Sequence, residues 1–407
     1  MKTRDVNRIL KETEYKRLGG RDSELKAAEY LKAECEKLGV KAWIEPFATE
    51  MADMEEAHLY ADGREIPCEG FNLCGSGEIE APLYYMPNKD AVSLAGVKGK
   101  VVMLDQAGMQ YFLYQDLLKA GAVGFITRCG DVNYRDRDIA RNELRPYVSN
   151  GNKMLAVTIN VKDQVALVKN KTQNVKLVVK EKEYKGESRN VVAEIPGELD
   201  QWIVVSAHYD TTFLSVGSYD NMTGCIAMLD MMEAMKETAP NRYGIRFVFC
   251  GSEERGLLGS KAYVAAHKAE LDKIALNINI DMVGTILGKF IARVSAEEKL
   301  VSYIEYFASE MGWPIEAKSG VYSSDSTPFA DAGVPALSFA RLAGGSVAPI
   351  HNRYDTPAVL SAEQQLKDSA FMSAFLGRMA NSVVCPVGRE IPQSVRDELD
   401  RYLSKKR

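Results

Sequence analysis

The sequence predicts an α/β protein, a mixed and largely parallel sheet flanked by helices, interrupted by a β-rich insertion. Three observations carry this reading. From residue 189 onward, short apolar runs alternate with amphipathic stretches of helical length, the pattern of a sheet covered by helices. Residues 50–185 lack that alternation and instead show short β-like runs separated by Gly and Asn. The leading helices and the strand at 40–46 have no core of their own, so they must return to the sheet formed after 189. The expected division is therefore a main domain of 1–49 with 186–407, and an inserted domain of 50–185. A chain of 407 residues suits two or three domains.

The elements follow in order. Residues 5–18 and 23–38 read as helices, the second with Leu25, Ala28, Leu31 and Leu38 near a 3.6-residue period and Gly39 as its stop. VKAWIEPF is a strand. In the insertion, LYYM, KVVMLD, VGFIT, LAVTIN and VKLVVK read as strands, with one helical patch, YFLYQDLLKAGA. EKEYKGES reads as a charged turn leading back to the main domain. There the strands are RNVVAEI, WIVVSA, YGIRFVFC, IALNINI, KFIARV and PALSFA, and the helices 222–237, 258–269, 297–311 and 361–381. Met228, Met231, Met232 and Met235 read as core, and the tail from Val395 as an exposed amphipathic helix.

Composition narrows the function. The 51 basic and 56 acidic residues leave a net charge of −5, which argues against nonspecific binding to nucleic acid or an anionic membrane. No apolar stretch reaches the length of a membrane span, and the first residues lack the apolar core of a secretory signal. The seven cysteines are scattered and form no CxxC pair, the usage expected of buried thiols in a reducing cytoplasm. NKT and NMT match a glycosylation pattern that a cytoplasmic protein would not use. LAGGS lacks the Lys-Ser/Thr of a phosphate loop.

The chemistry lies after the strands. Open α/β sheets place ligands at the carboxyl ends of their strands. His208 and Asp210 follow WIVVSA, Asp220 opens the next helix, Glu253 and Glu254 follow FVFCGS, Asp281 follows IALNINI, and His351 follows PALSFA and a Gly-rich loop. Only four histidines exist, and two of them fall here; His58 and His267 lack partners at ligand spacing. Imidazole and carboxylate are good ligands for Zn²⁺, and a catalytic site keeps one position for water. A pair of Zn²⁺ suits the set: two ions bring +4, three carboxylates and a hydroxide return the cluster to neutrality. Co²⁺ or Mn²⁺ would suit the same ligands. Asp210, two residues after His208, is placed to fix the far nitrogen of that ring. Neighbouring side chains on extended backbone point apart, so one of Glu253 and Glu254 would ligate and the other face the substrate as a general base.

HYD, GSYDNMTG, GSEERGLLGS, NIDMVG and HxxxDT, in that order, resemble the M28 family of zinc aminopeptidases and carboxypeptidases, over 1–49 and about 186–385. The insertion resembles the protease-associated (PA) domain of many members, through VKGKVVMLD and LLKAGAVGFI. The resemblance implies the zinc-peptidase fold. It also implies that His208 and Asp281 hold one zinc, Glu254 and His351 the other, and that Asp220 bridges them. Glu253 would be the base, Asp210 would orient His208, and the peptide bond after Asp220 would be cis. Two departures matter. Ile350 stands where some relatives have an oxyanion-donating Tyr, which leaves Tyr322, Tyr354 or zinc alone for that role. Ser326 stands where relatives often have His, beside Asp325.

These observations imply a dizinc exopeptidase, foremost an aminopeptidase acting on short peptides, with the insertion limiting access. A carboxypeptidase stays open because Arg341 and Arg353 lie in suitable loops. A one-zinc glutaminyl cyclase disagrees with five ligands, and a non-catalytic peptide-binding protein with the intact set. Homodimerisation stays open.

Overall fold

The computed structural model describes residues 1–407 and divides into two compact units, Met1–Phe47 with Glu187–Lys406, and Ala48–Gly186 with Arg407. In the first unit, strands Gly244–Cys250, Trp202–His208, Ile274–Ile280 and Ala336–Leu342 lie side by side in parallel. Lys289–Ser295 joins Ala336–Leu342 antiparallel, and Glu316–Ser319 joins Lys289–Ser295 in parallel. On the other side, the end of strand Asn174–Ile195 pairs antiparallel with Gly244–Cys250.

Alternation along these strands builds two cores. Ile203, Val205, Ala207, Ile245, Phe247 and Phe249 face one side, where helices Thr3–Glu12, Asp22–Lys37, Thr223–Glu237, Glu298–Glu310 and Ala362–Ala380 pack. Val204, Val248 and Cys250 face the other, against Tyr263, Phe329, Val395 and Leu399 from helices Leu258–Ala266, Ser326–Asp331 and Gln393–Tyr402. Residues i and i+2 share a face of a strand, so this three-layer arrangement follows directly from near-continuous apolar runs. The four methionines of helix Thr223–Glu237 are all buried in the first core. The tail helix differs from its expected exposure, because Val395 and Leu399 give it an apolar edge that closes the second core.

The second unit has its own core, from Leu59 and Phe71 to Leu177 and Val179. Strands Gly77–Met86, Val101–Leu104, Gly124–Cys129 and Leu155–Asn160 run parallel in that order. Cys68–Asn72 lies antiparallel to the last, and residues 174–179 antiparallel to the first. Helix Tyr111–Ala120 was legible; helix Val161–Lys169 was not, since Val165 and Val168 are exposed and give it no clear apolar stripe.

Two local expectations need correction. EKEYKGES is not a turn: residues 174–195 form one strand. The Glu181 carboxylate accepts from the amides of Leu73 and Gly75 at 2.8 and 2.6 Å, which holds the charged run extended. The first helix stops at Glu12, short of residue 18, because the chain then leaves for a parallel bridge between Leu18 and Thr211.

Candidate metal centre

The parallel strands bring their carboxyl ends to one edge, and the ligand candidates meet there. His208 ends its strand, and Asp281 follows Ile280 directly. Asp220 lies in Ser218–Met222, just before helix Thr223–Glu237. The Asp220–Asn221 peptide bond is cis. Glu253 and Glu254 sit in a turn after Cys250, so the pair is not on extended backbone as expected. The cause is Asp210, whose two oxygens accept from the amides of Glu253 and Glu254 at 2.8 and 3.2 Å and fold the chain there.

Asp220 organises the geometry. One of its oxygens lies 3.0 Å from His208 Nε2 and the other 3.0 Å from His351 Nε2. His208 Nε2 is also 3.6 Å from Asp281 Oδ1, and His351 Nε2 is 3.2 Å from Glu254 Oε1. The donors thus form two groups, His208–Asp220–Asp281 and Asp220–Glu254–His351, joined at Asp220. Donors about 2.0–2.2 Å from a tetrahedral ion lie some 3.2–3.6 Å apart; the Asp281 and Glu254 separations fall in that range, and the two Asp220 contacts, at 3.0 Å, are slightly shorter. The Asp281 oxygen facing His208 is buried and accepts no hydrogen bond. Glu253 belongs to neither group.

Charge tells the same story. Glu254 and Asp220 raise the His351 pKa well above its ordinary value against a desolvation cost. Burial opposes protonation of His208, yet Glu253, Asp210, Asp220 and Asp281 outweigh it and raise its pKa too. Asp220 is lowered: burial works against its charge, and the two histidines prevail. Burial, and then Glu254, Asp325 and Asp281, push Glu253 well above the carboxylate range against the pull of His208. The cluster carries excess negative charge, which metal ions at the two donor groups would offset in place of protons on the imidazoles.

Side chains that hold no metal tie the ligand loops together. Asp210 stands 3.6 Å from His208 Nδ1, beyond hydrogen-bond range, so its firmest bonds are to the Glu253–Glu254 turn rather than to the imidazole it was expected to orient. Asn221 donates to the carbonyl of Ile280 at 2.9 Å and accepts from the amides of Gly224 and Met282, joining Asp220 to Asp281. Asp355 accepts from the amides of Tyr219 and Asp220 at 2.7 and 3.3 Å, joining the His351 loop to Asp220. Burial and then Asp220 push Asp355 up to about 7. The HxxxDT pattern contained Asp355, and only its role was missed. His351, Ser252 and Met282 hold left-handed backbone, which ordinary residues adopt at a cost of about 1–3 kcal/mol and which clusters at functional sites.

Residues 190–375 match the model of peptidase family M28. The chain is 29% identical over 343 residues to aminopeptidase YwaD of Bacillus subtilis, covering 79% of this chain and 71% of that one. It is 32% identical to leupeptin-inactivating enzyme 1 of Streptomyces exfoliatus over 36% of this chain and 34% of that protein. The chain superposes on BSAP, a zinc aminopeptidase from Bacillus subtilis, with a TM-score of 0.78, 22% identity and coverage of 97% and 98%. It superposes on an aminopeptidase from Aneurinibacillus sp. strain AM-1 with 0.75, 21%, and 95% and 96%. At these identities the structural likeness is one of fold.

The remaining candidates are accounted for. Arg341, considered for binding a substrate carboxylate, is held by Asp368 at 2.7 and 2.9 Å and packs over Phe290 and Trp313. The Tyr322 hydroxyl is buried with no hydrogen-bond partner, whereas Tyr354 is 39% exposed. Asp325 is buried and accepts from Ser260. His58 pairs with Glu65 and His267 with Glu45, and neither belongs to a donor group. All seven cysteines are free, and no helix is long and apolar enough to cross a membrane.

Proposed function

We propose that this M28 chain is a dizinc aminopeptidase that removes N-terminal residues from short peptides. The observation that carries the reading is Asp220, with one carboxylate oxygen 3.0 Å from each of two histidines. His208 and Asp281 would hold one zinc, His351 and Glu254 the other, and Asp220 would bridge. When bound, the ions would supply Lewis acidity and a water of lowered pKa. Glu253, which belongs to neither donor group, accepts the proton of the attacking water and returns it to the departing amine. Tyr322 keeps its proton, since burial and then Asp281 raise its pKa, and its unpartnered hydroxyl is the donor for the tetrahedral oxyanion. The names of the relatives support aminopeptidase action. So does the engagement of Arg341 with Asp368, which removes one cation a carboxypeptidase could use.

The insertion is read as a PA-like domain that limits substrates to short or unfolded peptides. Its strands Val101–Leu104 and Gly124–Cys129, with helix Tyr111–Ala120 between them, support the resemblance. The deciding assay measures release of aniline from aminoacyl-anilides, and of free amino acid from peptides of graded length, with and without chelator. Chelator-sensitive cleavage of free-amine substrates, with N-blocked ones inert, is expected. Cleavage only of N-blocked, free-carboxylate peptides would reverse the assignment, and equal cleavage of long folded substrates would remove the access role.

A further inference from the structure

The family match begins at residue 190, yet a side chain far upstream reaches a loop of the metal centre. Arg17 follows the first helix and is completely buried. Its guanidinium donates to four backbone carbonyls at 2.8 Å or less: Nε to Tyr209 at 2.6 Å, Nη1 to Thr13 at 2.7 Å and Val216 at 2.6 Å, and Nη2 to Gly217 at 2.8 Å. Its main chain exchanges bonds with Thr211, amide to hydroxyl at 3.0 Å and carbonyl from amide at 3.1 Å. Tyr209, Thr211, Val216 and Gly217 all belong to the stretch joining His208 to Asp220.

Apart from the Leu18–Thr211 bridge, residues 209–217 of that stretch lie in no helix or strand. A guanidinium presents five N–H groups in one rigid plane, so it alone among side chains can gather three carbonyls of a loop and one of a helix end. The loop is shaped around it. Gly217 has φ +58°, and a Cβ there would lie 2.8 Å from Arg17 Nη2 and 2.4 Å from Thr211 Cγ2. Burying a guanidinium is costly unless its donors are satisfied. Carbonyl oxygens satisfy them here, and a cation beside the acidic site offsets part of the carboxylate charge.

We propose that Arg17 is a positioning residue of the metal centre, whose guanidinium fixes the 209–217 loop and thereby the separation of His208 from Asp220. Glu24 acts in parallel at the other acidic turn. Its carboxylate accepts from Ser188 at 2.8 Å, Ser252 at 3.1 Å and the amide of Gly20 at 2.9 Å, and Ser252 precedes Glu253. The segment 13–24 is thus a functional part of a centre whose ligands all lie beyond residue 207.

The inference rests on the metal reading above, and the experiment separates the two. Full-length wild type, Arg17→Lys and Arg17→Met are compared for zinc affinity by competition with a chromophoric chelator and for the visible spectrum of the Co²⁺-loaded protein. Amide exchange across 209–217 and circular dichroism of the metal-free proteins complete the comparison. Failure of wild type to take up zinc would sink the metal reading itself. With wild type loaded, both variants should keep the metal-free fold, expose 209–217 to exchange, change the Co²⁺ spectrum and bind zinc about 10- to 100-fold more weakly, the usual cost of losing support behind a ligand. Lysine keeps the charge and loses the fork, so its defect should approach that of methionine. Wild-type affinity and spectrum in either folded variant would overturn the proposal. So would failure of both variants to fold without metal, which would assign Arg17 to the stability of the domain.

Discussion

Glu253 and Glu254 are adjacent in sequence and proposed for different duties, and substitution distinguishes them. Glu254 lies 3.2 Å from His351, whereas Glu253 contributes to neither donor group. Glu253→Gln should therefore retain zinc and lose about 10²-fold or more in kcat, the range for a lost general base. Asp220→Ala should instead lose bound zinc outright, because both groups share that carboxylate. Metal analysis beside steady-state kinetics checks both; zinc loss in the Glu253 variant, or two retained equivalents in the Asp220 variant, would exchange or abolish the roles. These residues were legible in the sequence because they lie in the segments that follow apolar strands and carry side chains with recognisable chemistry. Arg17 and Glu24 were not. Arg17 binds backbone carbonyls nearly 200 positions away, which leave no pattern in side-chain identity. Glu24 reads as one more charge on an amphipathic helix, though it is fully buried.

At the level of elements, helix Asp22–Lys37 does more than cover the sheet. Its first turn carries Glu24 inward, where burial, and then the nearby Asp210, raise the carboxyl from an ordinary 4.5 to about 7. The sign of the pH effect follows. Between 4.5 and about 7 the folded protein holds a proton that the unfolded chain has released, so stability falls as pH rises through that window and levels off above it. That difference is worth about 3 kcal/mol at most. Glu24→Gln removes the titration and keeps a carbonyl acceptor for the serine hydroxyls. Metal-free Glu24→Gln should gain stability relative to wild type as the pH goes from 5 to 8, read from urea midpoints; parallel pH profiles would disprove the shift. The strands were read from apolar runs because burial on both faces leaves that signature. The charged strand through EKEYKGES and the helix Val161–Lys169 were misread or missed because their faces are solvated. Tertiary hydrogen bonds to Glu181 decide the first, and the Asn160 side chain, accepting from the Lys162 amide, starts the second.

For the whole molecule, the division into two units gives metal binding a selective readout. All five ligand candidates lie in Met1–Phe47 with Glu187–Lys406, and so do all three tryptophans, Trp43, Trp202 and Trp313. Tryptophan fluorescence therefore reports on the unit that carries the metal centre, and the core of the second unit, Leu59 to Val179, is silent to it. A ligand that binds only the folded state stabilises it by about 4 kcal/mol when present at 1,000 times its dissociation constant. For domains of 150–250 residues, each kcal/mol moves the melting temperature by about 2–4 °C. Chelation should lower the fluorescence-detected melting temperature by on the order of 10 °C, and added zinc should restore it. The effect should vanish in Asp220→Ala, since the carboxylate shared by both groups of ligands is gone. A melting temperature indifferent to chelator in wild-type protein would mean that the cluster of His208, Asp220, Glu254, Asp281 and His351 does not draw folding energy from a metal. The excess negative charge at that edge of the sheet would then need another counterion.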